Sequence, residues 1–368
     1  MFIPRRSVLL VMLLSLLSAC ASVTPPSSIV QDPQTGLLLR SSLIETAPES
    51  ERVWPAAPET PHYRYVGQLV GEQNFDPETR SWWRRALRWI AGLNSRKHQP
   101  RVLQRPQNGF VADDGRIFVT DVSRAAVYVF DGQQANAQNG LQIWEYADEK
   151  TRFIIPLGIV ADGDGGILVA DAGLGCIFHL DGSGKGLGKI CDKALLRPTG
   201  LARDDRQHLL FVADSKAHDI KVFDDGGDLV RTLGRHGEGD GEFNGPTYLS
   251  LAGDRLYVSD TLNARVQLID EQGRYIKSYG RRGLYLGDTP RPKGVATDRD
   301  GNVYIVESYY DYLLIFNDKG DFLLPIGGTG NAIGRFFLPA GVWIRDDRVY
   351  VADTFNGRVI IFQYLGNT

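Results

Sequence analysis

Six prolines, Pro106, Pro156, Pro198, Pro246, Pro292 and Pro339, recur at intervals of 42 to 50 residues, and each is followed by an acid: Asp121, Asp171, Asp214, Asp260, Glu307 and Asp353. A period of this size means one supersecondary unit copied along the chain. Such units bury a core only by packing on their neighbours. The order within each unit is constant: Pro-x-Gly or a variant of it, a turn rich in Asp and Gly, an apolar strand ending in the acid, a polar loop, a β-branched strand, a turn and a last strand. Unit three reads RPTGLARDDRQHLLFVADSKAHDIKVFDDGGDLVRTLG. Four short strands per unit with almost no helical periodicity predict an all-β chain of radially arranged four-stranded blades, a six-bladed β-propeller.

The stretches VADTFNGRVIIF and VSDTLNARVQLI, with the long loops GRHGEGDGEFNGP and GGTGNAIGRFFLP, resemble NHL repeats. Across residues 62 to 364 the chain is similar to the six-bladed NHL-type propeller lipoproteins of bacteria. The resemblance implies the fold and leaves the activity open, because this architecture carries unrelated functions. Unit six stops after its third strand, RVIIFQY, whereas HYRYVGQLVGEQNF at residues 62–75 has the pattern of a fourth strand and its following loop. An N-terminal strand is therefore expected to join blade six and close the ring, which leaves no open edge.

Residues 1–19 combine Arg5 and Arg6 with an apolar run from Val8 to Leu17, too short to span a bilayer and followed by small residues, the pattern of a signal peptide. Leu17-Ser18-Ala19-Cys20 resembles a bacterial lipobox, which implies cleavage before Cys20 and lipid on its thiol and new N-terminus; several acyl chains at one site anchor stably. Ala21 in place of an aspartate favours the outer membrane. The expected location is thus the cell envelope, lipid-anchored. Loss of Arg5 and Arg6 moves the formal charge from −3 to −5, which is no nucleic-acid footprint, so no nucleic acid is expected as a partner. Residues 20–61 are rich in Pro, Ser and Glu and read as a tether, with Leu37, Leu38 and Leu39 able to dock locally; residues 62–368 form the propeller. Cys176 and Cys191 flank the hairpin DGSGKG of unit two, so in an oxidising compartment they either form a disulfide or stand as two buried thiols.

Strands of a blade alternate in direction, so the loops joining strands 2 to 3 and blade to blade share one face. That face carries the side-chain-rich connections and is the expected binding surface. The recurring acids fit Asx-type turns, accepting N–H bonds from the following loop. Departures from the repeat single out Asn108 and Tyr248, which replace the glycine of Pro-x-Gly, and Glu307, followed by Tyr309, Tyr310 and Tyr312. Tyrosines offer a flat apolar face and a hydroxyl for a sugar or peptide. Arg124, Arg265 and Arg358 match the recurring arginine of the repeat, suited either to bridging blades or to meeting an anionic ligand.

Unit one receives an insert over about residues 76–98, SWWRRALRWIAGL at its centre, in a blade-to-blade loop. Trp82, Trp83 and Trp89 fall on one side of a helix and Arg84, Arg85 and Arg88 on the other, between a start at Asp76-Pro77 and a stop at Gly92. Three placements fit: packed on the disc, in the membrane interface beside the lipid, or against a partner protein.

Catalytic signatures are sparse. GSGKG (182–186) lacks the Ser or Thr of a phosphate loop, DGDGG and DRDGN both sit at strand 1-to-2 turns and the first has Gly173 where a calcium loop closes with glutamate, and the six histidines occupy different repeat positions. Related propellers include amidating lyases and lactonases, but neither constellation maps onto this chain. The expectation is a non-enzymatic binding scaffold without cofactor or metal, whose ligand is a protein or polysaccharide of the envelope; the alternative is a propeller hydrolase or lyase with its site at the central channel.

Overall fold

The computed structural model describes residues 31–39, 52–75, 100–134 and 137–366. The expected signal peptide, Cys20 and the helix expected to carry Trp82, Trp83, Arg84, Arg85, Arg88 and Trp89 lie outside the described residues.

Six antiparallel sheets form the ring, one per repeat. Blade one comprises Pro106–Val111, Ile117–Asp121, Ala126–Phe130 and Leu141–Trp144; blade three, Pro198–Asp204, Leu209–Asp214, Asp219–Asp224 and Leu229–Leu233. Each second and third strand is covered on both faces by neighbouring blades, so apolar runs replace alternation: all five residues of Ile167–Asp171 are buried. The outermost strands are half exposed, as in Leu229–Leu233. Cores lie between blades rather than within them. Ile117, Val119 and Tyr128 of blade one pack with Tyr350, Ala352 and Ile361 of blade six.

Blade six consists of Val342–Arg345, Arg348–Asp353 and Arg358–Tyr364, completed by the N-terminal strand Tyr63–Leu69 in antiparallel register, from Tyr63 opposite Tyr364 to Leu69 opposite Val359. A short strand, Val53–Trp54, adds a fifth member. This differs from the tether expected through residue 61, and at 31–39 the docking takes in more than the three leucines expected to dock locally. Leu37 is buried in the core of blades one and six, Leu38 donates its N–H to the Asn74 carbonyl, and Asp32 forms a buried ion pair with Arg348. Backbone contact decides this docking: a Cβ on Gly132 would fall on the Thr35 carbonyl. The segment straps the seam where the ring closes.

Cys176 and Cys191 are bonded, at a Cα separation of 4.4 Å. They cross-link the third strand of blade two, Cys176–Leu180, to the residue following the fourth, Gly186–Ile190. Closing a loop of 15 residues restricts the unfolded chain, worth about 3 kcal/mol by loop entropy. The C176A/C191A double variant is expected to lose about that much stability by urea titration; a midpoint unchanged from the parent would show the bond to be stabilising nothing.

Candidate functional site

The loops between strands 2 and 3 and between blades are held together by the recurring acids. Asp121 accepts N–H bonds from Gln104 and Arg105 in the preceding blade-to-blade loop and from Ser123 and Arg124 in its own loop, at 2.6–3.0 Å. Asp171 and Asp214 do the same with four backbone N–H groups each. All three are fully buried, as the accepting geometry requires. Glu307 is longer and accepts three, from Arg291, Tyr309 and Tyr310; burial pushes its carboxyl above the usual range while these N–H groups pull it down. Asp353 is likewise raised by burial and opposed by Arg358.

The arginines of the repeat divide. Arg265 donates Nε to Asp260 at 3.0 Å and Nη2 to the carbonyls of Gly239 and Glu242. Arg358 is buried, paired with Asp353 at 2.7 Å and bonded to Gln68, Ala332 and Arg335. Arg265 Nε and Nη2 and all three guanidinium nitrogens of Arg358 are bonded within the loops, which favours the bridging role over the ligand-binding one considered for them. Arg124 is exposed, its side chain reaching the Tyr128 hydroxyl.

Asn108 turns inward on itself, its Oδ1 accepting the Gly109 N–H at 2.9 Å. Tyr248 donates its hydroxyl to the Gln107 carbonyl at 3.2 Å. Blades four and one are opposite members of a six-membered ring, so this bond is a crossbar over the central channel, and burial pushes the phenol well above its ordinary pKa. Elsewhere the same position is glycine because the next blade crowds it: a Cβ on Gly294 would stand 2.5 Å from the Val342 nitrogen. Tyr309 is exposed and meets Tyr310 edge to face at 4.8 Å; Tyr310 and Tyr312 line a surface cleft with Leu284, Tyr285 and Leu286.

A cavity of about 460 Å³ opens at the channel mouth, lined by Tyr248 and Gln107 with Leu157, Leu262, hydroxyl side chains and three cations, Arg197, Lys216 and Lys293. These cations were not visible as a set in the sequence because they occupy different positions of their repeats. The structure also brings together His218 and His236, ring centroids 4.4 Å apart, with His218 Nδ1 accepting the N–H of the cavity residue Gly245. On the opposite face Asp162 meets His179 and Arg203, and Asp225 meets Arg203 and His208, joining blades two and three. Among the described residues no group of three or more His, Cys, Asp or Glu side chains is placed to hold a metal ion.

Comparisons with known proteins reach the same architecture. No protein-family model matches the sequence. A stretch of 141 residues is 25% identical to Protein brain tumor of Drosophila melanogaster, covering 38% of this chain and only 13% of that protein's length. Among solved structures, a structural genomics protein of unknown function from Bacteroides thetaiotaomicron superposes with a TM-score of 0.57 at 14% identity over 71% of this chain and 70% of its own. A catalytically inactive virginiamycin B lyase from Staphylococcus aureus, with quinupristin, gives 0.51 at 13% identity over 71% and 95%. Hydrazine synthase of Kuenenia stuttgartiensis gives 0.52 at 14% over 74% and 99%. At these identities the likeness shows the six-bladed propeller fold alone.

Proposed function

We propose that the protein is a binding scaffold of the bacterial cell envelope, an NHL-type propeller exported by residues 1–19, anchored through lipid on Cys20 to the outer membrane, and presenting its loop face to an envelope protein. The observation that carries this reading is the apolar surface on the loops of blades four to six. Leu284 is 81% exposed, Tyr285 79% and Tyr309 62%, with Leu286 beside them. Phe337 and Phe355, also exposed, form a second cluster at 5.5 Å, over which the Arg105 guanidinium lies 4.8 Å from the Phe355 ring. Contiguous exposed aromatic and aliphatic groups around arginine mark interaction surfaces. Leucine gives a sugar ring no flat face to stack on, so the aliphatic members favour a protein over a polysaccharide.

A photo-crosslinker placed at Tyr309 in cells is expected to capture a defined envelope protein. The L284S/L286S variant, exposed at both positions and so folded within about 0.5 kcal/mol of the parent, is expected to lose that adduct. An adduct of equal yield in the variant would overturn the reading. The alternative, a hydrolase or lyase working at the channel, draws on the His218–His236 pair at the cavity edge.

A further inference from the structure

We propose that the mouth of the central channel is a binding site for a small organic anion, one that carries a carboxylate or phosphate group on an apolar body. The site is separate from the apolar clusters above and does not rest on them.

Its lining holds Arg197, Lys216 and Lys293 and no carboxylate, in a chain whose acids outnumber its Lys and Arg by 44 to 41. Among the described residues none of the three cationic side chains has a hydrogen-bond or ion-pair partner. The acids of this face turn their oxygens to the loops instead: Asp121, Asp171 and Asp214 each accept four backbone N–H groups and Glu307 three. The cations are also held in place at the backbone. Arg197 and Lys216 both donate their N–H groups to Asp214, and the Lys293 carbonyl accepts the Ser259 hydroxyl across the blade boundary. Burial, and then the neighbouring Arg291, pull the Lys293 ammonium down to about 8.

The rest of the lining sets the ligand class. Leu157, Leu262 and the Tyr248 ring are apolar, and the Thr199, Ser215 and Thr247 hydroxyls donate within the protein, to the Ala213 and Pro246 carbonyls, the Arg197 carbonyl and Thr261 Oγ1, which leaves the ligand's charge to the three cations. A concave, largely apolar cavity of about 460 Å³ with a few convergent polar groups suits a molecule of metabolite size rather than a polymer chain. The Tyr248–Gln107 crossbar spans the channel at this site.

Calorimetric titration of the full chain at low salt with phenyl phosphate, phenylacetate and neutral phenylacetamide tests this. At least one of the two anions is expected to bind about tenfold tighter than the amide, with affinity falling as salt rises. The tighter of the two identifies the ligand group as phosphate or carboxylate. The K293M variant, which removes a partly buried unpaired charge and is expected to melt no lower than the parent, should weaken anion binding about tenfold, and R197Q and K216Q by about threefold each. Equal binding of the amide, no anion binding up to about 10 mM, or unchanged affinity in a folded K293M variant would each overturn the proposal.

Discussion

Deleting residues 62–71 is expected to abolish the cooperative unfolding transition. Among the described residues the strand Tyr63–Leu69 is the element paired with the third strand of blade six on its outer side, and Tyr63, Tyr65 and Leu69 are buried there. At about 1.5–3 kcal/mol per large apolar side chain, these three alone contribute an amount comparable with the whole net stability of a domain, about 5–15 kcal/mol. Tyr63 also ties the closing strand to blade five, through a 2.9 Å bond to the Tyr304 hydroxyl, which in turn donates to Asp298 at 2.8 Å. Without the strand, Arg358–Tyr364 becomes a long apolar edge, an aggregation template as well as a defect. Calorimetry or circular dichroism on the truncated chain should show a broad, low transition or precipitation. A single sharp transition at the parent's temperature would mean that the ring does not depend on its closure.

The closing strand was legible in the sequence for a physical reason that did not extend to every feature. Blade number, strand order and the missing fourth strand of unit six follow from a period repeated along the chain, and the Cys176–Cys191 bond from a local hairpin. For residues 31–39 only Leu37, Leu38 and Leu39 stood out as able to dock, and the place of docking did not, since it depends on Gly36 and Gly132 meeting backbone to backbone nearly a hundred residues apart in the chain. Tyr248 stood out as a departure from Pro-x-Gly, yet its partner, the Gln107 carbonyl, lies across the ring and was invisible to any repeat alignment. Arg265 and Arg358 show the opposite case: the motif was plain, and only the hydrogen bonds show that their donors face the loops. Arg197, Lys216 and Lys293 carry no motif at all. Their grouping is a product of ring assembly, which places unlike repeat positions around one opening.

Replacing Asp214 by alanine is expected to cost about 3 kcal/mol, and to loosen the channel mouth as well. Asp214 is fully buried and accepts the N–H groups of Leu196 and Arg197 from one loop and Lys216 and Ala217 from another. Alanine leaves these donors without an acceptor, and relaxation toward water recovers only part of the loss. Asparagine keeps one oxygen but turns an NH₂ group toward N–H donors, so its deficit should fall between those of the parent and the alanine variant. Because the two loops carry Arg197 and Lys216, the alanine variant should also bind phenyl phosphate or phenylacetate more weakly than its stability loss alone accounts for, with the deficit present at temperatures where it remains folded. Urea titration gives the first quantity and calorimetric titration below the melting transition the second. A variant as stable as the parent would remove the carboxylate staple from the account of this fold. One that is destabilised yet binds the anion at full strength would show that the cations are positioned by the strands rather than by Asp214.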